Sequence, residues 1–224
     1  MMLALLVPSA FSGVTVALAI VVLLAEFAML RAPFARSQVR LYAFQSLMVS
    51  GLALVVALHT GEVGLYVLAG LSFCIKVVLV PAVLGRLLAG APRDLAGSNR
   101  FGVATMVLVS IVAAVVGFFV TQSIPVTHHP LPASALGIAT AAILVSFLLV
   151  SLRSDVVSQA IGFFALENGV SVASLVLAAG LPLAAEVAFF FDLLVAVVVF
   201  AALIRVHHGR AQTLSTTGLD RLQG

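Results

Sequence analysis

Three ionisable side chains stand inside stretches otherwise made of apolar residues: Lys76 in FCIKVVLVP, Glu167 in GFFALENG and Asp192 in FFFDLLV. Glu167 is the only charged residue between Asp155 and Glu186. A buried carboxylate or ammonium exchanges protons near neutral pH more readily than one in water, because burial disfavours its charged form. A base flanked by two acids therefore suits a proton relay. The same set also suits plain pairing that fixes the register of neighbouring helices, and the sequence leaves both readings open.

Polar and helix-breaking residues surround this set. Gln45, Gln159, Asn168, Ser171 and Ser174 offer atoms that orient a carboxylate or hold water, or that make ordinary interhelical hydrogen bonds. Pro81 follows Lys76 by five residues. It brings no N–H for the carbonyls of Lys76 or Val77, so a helix break beside the ammonium is expected, with a simple kink as the alternative. Glu26 lies one turn before Arg31, which predicts an interfacial pair ahead of a relay or orienting role. Glu186 is expected to open the last helix, where a carboxylate favours the N-terminus. The histidines, His59, His128, His129, His207 and His208, fall at helix ends or in breaks, without the helix-borne pairing a b-type haem needs.

The elements that must position these groups follow from composition. The chain is 63% hydrophobic and 8% charged, with mean hydropathy +1.28. Those values exclude a water-soluble domain and place the chain among multi-pass membrane proteins. The pI near 9.8 reflects a net charge of only +3, distributed as membrane topology requires, so nucleic acid is not an expected partner. One cysteine, Cys74, supplies neither a disulfide framework nor a metal-cluster site. The N-terminal MMLALLVPSAF has no basic leader and reads as the approach to a retained first helix.

A hydrocarbon core of roughly 30 Å takes about 20 residues per helix. Seven apolar runs satisfy this, near 9–30, 38–60, 64–88, 102–123, 133–151, 156–179 and 182–206. All ten arginines fall in alternate breaks or in the tail, and the intervening ends carry none. The positive-inside rule then predicts an all-α membrane protein with its N-terminus outside and its C-terminus in the cytoplasm. Lys76, Glu167 and Asp192 come out at depths within about two helical turns of one another. A charge at that depth costs about 2.5–3.5 kcal/mol on insertion, so those that occur face the bundle interior.

An offset of 122 residues carries Arg31 onto Arg153 and YAFQS (42–46) onto FALEN (164–168). Helices 1–3 (9–88) and 5–7 (133–206) are thus expected to be two parallel three-helix repeats joined by helix 4 (102–123). Gln45 becomes the uncharged counterpart of Glu167. One transmembrane domain spans 1–206, and residues 207–224 form a polar cytoplasmic tail.

YAFQSL, KVVLVP, GFFALENG, FDLLVAVVV and the ending LSTTGLDRLQG, in that order along the chain, resemble the hydrogenase-4 component E family. The resemblance implies an integral subunit of formate hydrogenlyase-type and related membrane-bound hydrogenase complexes. Its partners would be antiporter-like membrane subunits and a soluble hydrogenase-type arm, with nickel–iron and iron–sulfur centres only on those partner chains. The second half also resembles the K subunit of bacterial complex I and the C subunit of multisubunit sodium/proton antiporters. This resemblance implies that Glu167 matches the membrane glutamate of the K subunit's second helix and that Glu186 matches the one in its third, with Asp192 as the alternative.

The expected function is therefore a proton-path segment in the bacterial inner membrane, built on Lys76, Glu167 and Asp192. A structural scaffold, an antiporter component and a free-standing transporter are the alternatives. A retinal protein does not fit, because it would place a lysine in the last helix and an acid in the third, the reverse of this chain.

Overall fold

The computed structural model describes residues 10–89, 102–121, 131–177 and 193–204. Helices occupy nearly all of them. These are α1 (Ala10–Arg31), α2 (Ala35–Thr60), α3 (Val63–Leu88), α4 (Val103–Thr121), α5 (Ala133–Leu152), α6 (Val156–Leu177) and the described part of α7 (Leu193–Ile204), the rest of the expected 182–206 span lying outside the described residues. The first six are long and apolar enough to cross a membrane, so the chain is a multi-pass membrane protein. Most observed bounds lie close to the hydropathy runs. α2 begins at Ala35 rather than 38 because its first turn accommodates polar side chains. There, Gln38 Nε2 donates back to the Ala32 carbonyl at 3.2 Å.

The turn between α2 and α3 shows why the chain reverses there. Gly61 adopts φ 74, a left-handed conformation that a side chain would strain. Its N–H reaches the Ala57 carbonyl at 2.8 Å and closes the end of α2.

α5 packs on α6 and α1 packs on α2, as expected for equivalent pairs in two repeats. Between the repeats, α2 lies against α6 and α1 against α5. Tyr42 and Phe164, counterparts at the 122-residue offset and both fully buried, bring their ring centroids to 5.9 Å. Ser46 and Asn168, another such pair, are hydrogen-bonded at 2.9 Å. Equivalent residues touch each other only near a symmetry axis, so an approximate two-fold runs between α2 and α6. The helix entries are similar as well, one residue out of step with that offset. Gln159 Nε2 donates to the Arg153 carbonyl at 3.0 Å, the same six-residue reach that Gln38 makes to Ala32.

Two apolar clusters fill the interior. One gathers Met29, Leu30, Tyr42, Leu84, Leu149, Val157 and Phe164 at the arginine-bearing end. The other gathers Val22, Leu52, Val56, Leu65, Leu136, Val172 and Val176 toward the opposite end. Glu26, Gln45, Ser46, Lys76 and Asn168 are buried along the boundary between them. Arg36 Nη2 donates to the Leu88 carbonyl at 2.9 Å, which brings the start of α2 and the end of α3 to the same end, as the arginine pattern requires.

α6 meets α5 through glycines. A Cβ at Gly162 would lie 2.9 Å from the Val150 backbone nitrogen, and one at Gly169 would lie 2.9 Å from Ile143 Cγ1. Small residues at such seams let helices approach closely where no hydrophobic effect drives association.

Candidate functional site

Lys76 sits in a locally widened stretch of α3. Residues Phe73–Leu79 form a π-helical segment, and the N–H of Val80 reaches the Ile75 carbonyl. The expected break at Pro81 is not what forms. The proline enters the first turn of the α-helical continuation, which runs to Leu88. Five-residue spacing absorbs the missing N–H within the helix, and such π segments recur at functional positions.

From this segment the wholly buried Lys76 crosses to α6. Its Nζ lies 2.6 Å from Glu167 Oε2, and the two side chains are 0% and 17% exposed. It also donates to Ser171 Oγ at 2.7 Å. Ser171 in turn donates to the Glu167 backbone carbonyl at 2.9 Å, so the hydroxyl is held where the ammonium needs it. The arrangement is one acid, one base and one fixed hydroxyl, with the base fully buried and the acid and hydroxyl partly open.

Asn168 is the next residue on α6 and faces α2 instead, since successive helical residues diverge by about 100°. Its Nδ2 donates to Gln45 Oε1 at 3.1 Å and to Ser46 Oγ at 2.9 Å. Gln45 Nε2 donates to Glu26 Oε1 at 2.8 Å. The Ser146 hydroxyl of α5 lies beside the same carboxyl group without reaching hydrogen-bond geometry. The layer thus has two arms from α6, one through Glu167 to Lys76 and one through Asn168 to Glu26.

The expected surface pair of Glu26 with Arg31 does not form. Glu26 is 0% exposed and turned inward, while Arg31 is exposed. Five residues along an α-helix rotate a side chain about 140° away, whereas pairs meet at three or four. Gln45 corresponds to Glu167 by offset and bonds to Glu26 and Asn168. Asp192 and Glu186 lie outside the described residues. Among the described residues, no three His, Cys, Asp or Glu side chains cluster in a way that could hold a metal ion.

A second buried polar group lies at the break between α5 and α6. Arg153, 2% exposed, donates through Nη2 to the carbonyls of Met29, Leu30 and Ala32 at 3.3, 2.8 and 3.1 Å. Burial pulls its guanidinium below the ordinary pKa, and the charge of nearby Asp155 opposes that shift. Asp155 Oδ1 accepts the Ser158 N–H at 2.7 Å and caps α6. Ser158 Oγ donates to Gln38 Oε1 at 2.7 Å, joining the two helix entries. The signal was present in LRSDVV, where an aspartate stands one residue before an apolar run.

No protein-family model matches the chain, and no solved structure matches it. Hydrogenase-4 component E of Escherichia coli K12 is 28% identical over 184 residues, covering 82% of this chain and 85% of that protein. The component E of Shigella flexneri matches to the same extent. An uncharacterized protein of Mycobacterium tuberculosis is 26% identical over 171 residues, covering 75% of this chain and 77% of its own length. Over 82% of its length, this multi-pass membrane protein is similar to hydrogenase-4 component E, in agreement with the resemblance its motifs carry.

Proposed function

We propose that the chain is a membrane subunit of a hydrogenase-4-like complex of the formate hydrogenlyase type, housed in the bacterial inner membrane. In this reading it is not catalytic alone. It contributes a segment of a proton path beside antiporter-like subunits and a soluble hydrogenase-type arm. Nickel–iron and iron–sulfur centres belong on those partners, because a chain with one cysteine cannot supply the thiolates such centres take.

The observation that carries the relay is the Lys76–Glu167 pair at 2.6 Å in a polar layer between two apolar clusters. A proton arriving at Glu167 neutralises the carboxylate and weakens its hold on the ammonium. Its departure restores the pair, so proton occupancy and the position of α3 against α6 become linked. Ser171 keeps a hydrogen-bond partner on Lys76 through both states. Asp192 is the third proposed member, with Glu186 as its alternative.

The test is Glu167→Gln, which keeps shape and hydrogen-bonding capacity without an exchangeable acidic proton. In vesicles containing the whole complex, normalised to assembled protein, the relay reading expects assembly with proton movement lost. Full pumping would remove Glu167 from the path. It would favour the scaffold reading, in which Lys76 and Glu167 only fasten α3 to α6.

A further inference from the structure

Glu26 is a buried carboxyl group that neither the Lys76–Glu167 pair nor a helix cap uses. It accepts one hydrogen bond, from Gln45 Nε2 at 2.8 Å, and its Oε2 is buried without a hydrogen-bond partner. A carboxylate taken wholly out of water keeps its charge only where a cation or several donors compensate it.

Among the described residues packed against α1, no cation is shown on the Glu26 carboxyl group: the Arg153 guanidinium is committed to the carbonyls of Met29, Leu30 and Ala32 at the end of α1. α4 and α5 carry no titratable side chain. On α2, Arg36 is committed to the Leu88 carbonyl and Arg40 is exposed in the first turns. His59 stacks on Phe11 at the far end, ring centroids 3.9 Å apart, and Tyr42 presents a neutral phenol. α6 brings Glu167, itself paired with Lys76. On α1 itself, Arg31 is turned away and exposed.

We propose that Glu26 is a second proton-binding site of the bundle, a neutral carboxyl group whose proton sits on Oε2.

The amide chain assigns the oxygen. Asn168 Nδ2 donates to both Gln45 Oε1 and Ser46 Oγ. That contact orients Gln45 with its oxygen toward α6 and its Nε2 toward Glu26. Glu26 Oε1 is therefore an acceptor, and the proton belongs on Oε2. Ser146 Oγ of α5, near the same carboxyl group and also buried without a partner, is a hydroxyl able to accept that proton's hydrogen bond after a small side-chain adjustment. Gln45 and Asn168 carry hydrogen-bond polarity rather than protons. Loss of the Glu26 proton would thus be felt through them at the residue adjoining Glu167. The protonation state itself does not depend on the proposed function, and its use in transport rests on that reading.

Infrared spectroscopy of the purified complex containing the full chain tests the proposal. A protonated carboxyl group gives a C=O stretch that moves to lower wavenumber in D2O. The wild type should show such a band near neutral pH, Glu26→Gln should lose it, and Glu167→Gln should retain it. Gln45→Leu should move it to higher wavenumber, since Oε1 then loses its donor; this variant serves if Glu26→Gln does not assemble. A band unchanged in Glu26→Gln, or unmoved in Gln45→Leu, would overturn the proposal. Full pumping by Glu167→Gln with the Glu26 band present would sink the relay reading and leave this one standing.

Discussion

Arg153, in the break between α5 and α6, donates to the Leu30 carbonyl 2.8 Å away at the end of α1. It reaches Met29 and Ala32 through the same nitrogen. The last carbonyls of a helix have no partner within it and favour a positive charge. A residue of the second repeat thus closes a helix of the first. Arg153→Ala should lower unfolding stability by about 2 kcal/mol or more, the cost of leaving charge-assisted bonds unmade in a buried setting. Arg153→Lys should recover only part, because one ammonium does not replace a planar fork. Thermal unfolding in detergent measures both, and an alanine variant as stable as wild type would show the contact to be idle.

Lys76→Met should leave the half-buried Glu167 carboxylate without its counter-charge. Breaking a fully buried pair from one side costs about 3–5 kcal/mol, and a partly open acid lowers that figure, so assembly of the complex should fall by a smaller but measurable amount. Adding Glu167→Gln to Lys76→Met should restore much of the loss, since no charge then remains unpaired. A double-mutant cycle on assembled yield reads this coupling. Strict additivity of the two changes would rule out direct pairing.

The glycine seam predicts a sharp contrast along the chain. Gly162→Ala would set its methyl 2.9 Å from the Val150 backbone nitrogen. The helices must then part, at about 1–3 kcal/mol. Gly70→Ala meets nothing within 4 Å and should be neutral or slightly stabilising, as helical glycines replaced by alanine are by up to about 1 kcal/mol. Detergent melting curves of the two variants should separate in that order. Equal melting temperatures would refute close α5–α6 packing.

Topology is checked with a reporter fused after Gly224. With all ten arginines in alternate breaks or the tail, a reporter active only in the periplasm should be silent there, and one active in the cytoplasm should work. The opposite pattern would invert the whole bundle and move the Arg153 contact to the outer face.

Sequence alone determined that this chain lives in a bilayer, where its long helices run and which breaks share a side. Hydropathy and arginine bias are local sums over residues, so they survive without knowledge of any contact. The 122-residue echo was legible for the same reason, and Tyr42 against Phe164 gives it a physical axis. Which side chains meet was not local. Lys76 finds Glu167 across 91 positions of sequence, and its helix widens beside Pro81 where a break was expected. Glu26 lies one turn from Arg31 in sequence yet points into the bundle, and Arg153, read as a topology marker, serves as a buried cap on another repeat. Each of these depends on how a helix is rotated about its axis. Rotation is decided only when neighbouring helices pack, because in lipid the alternative to a polar partner is none at all.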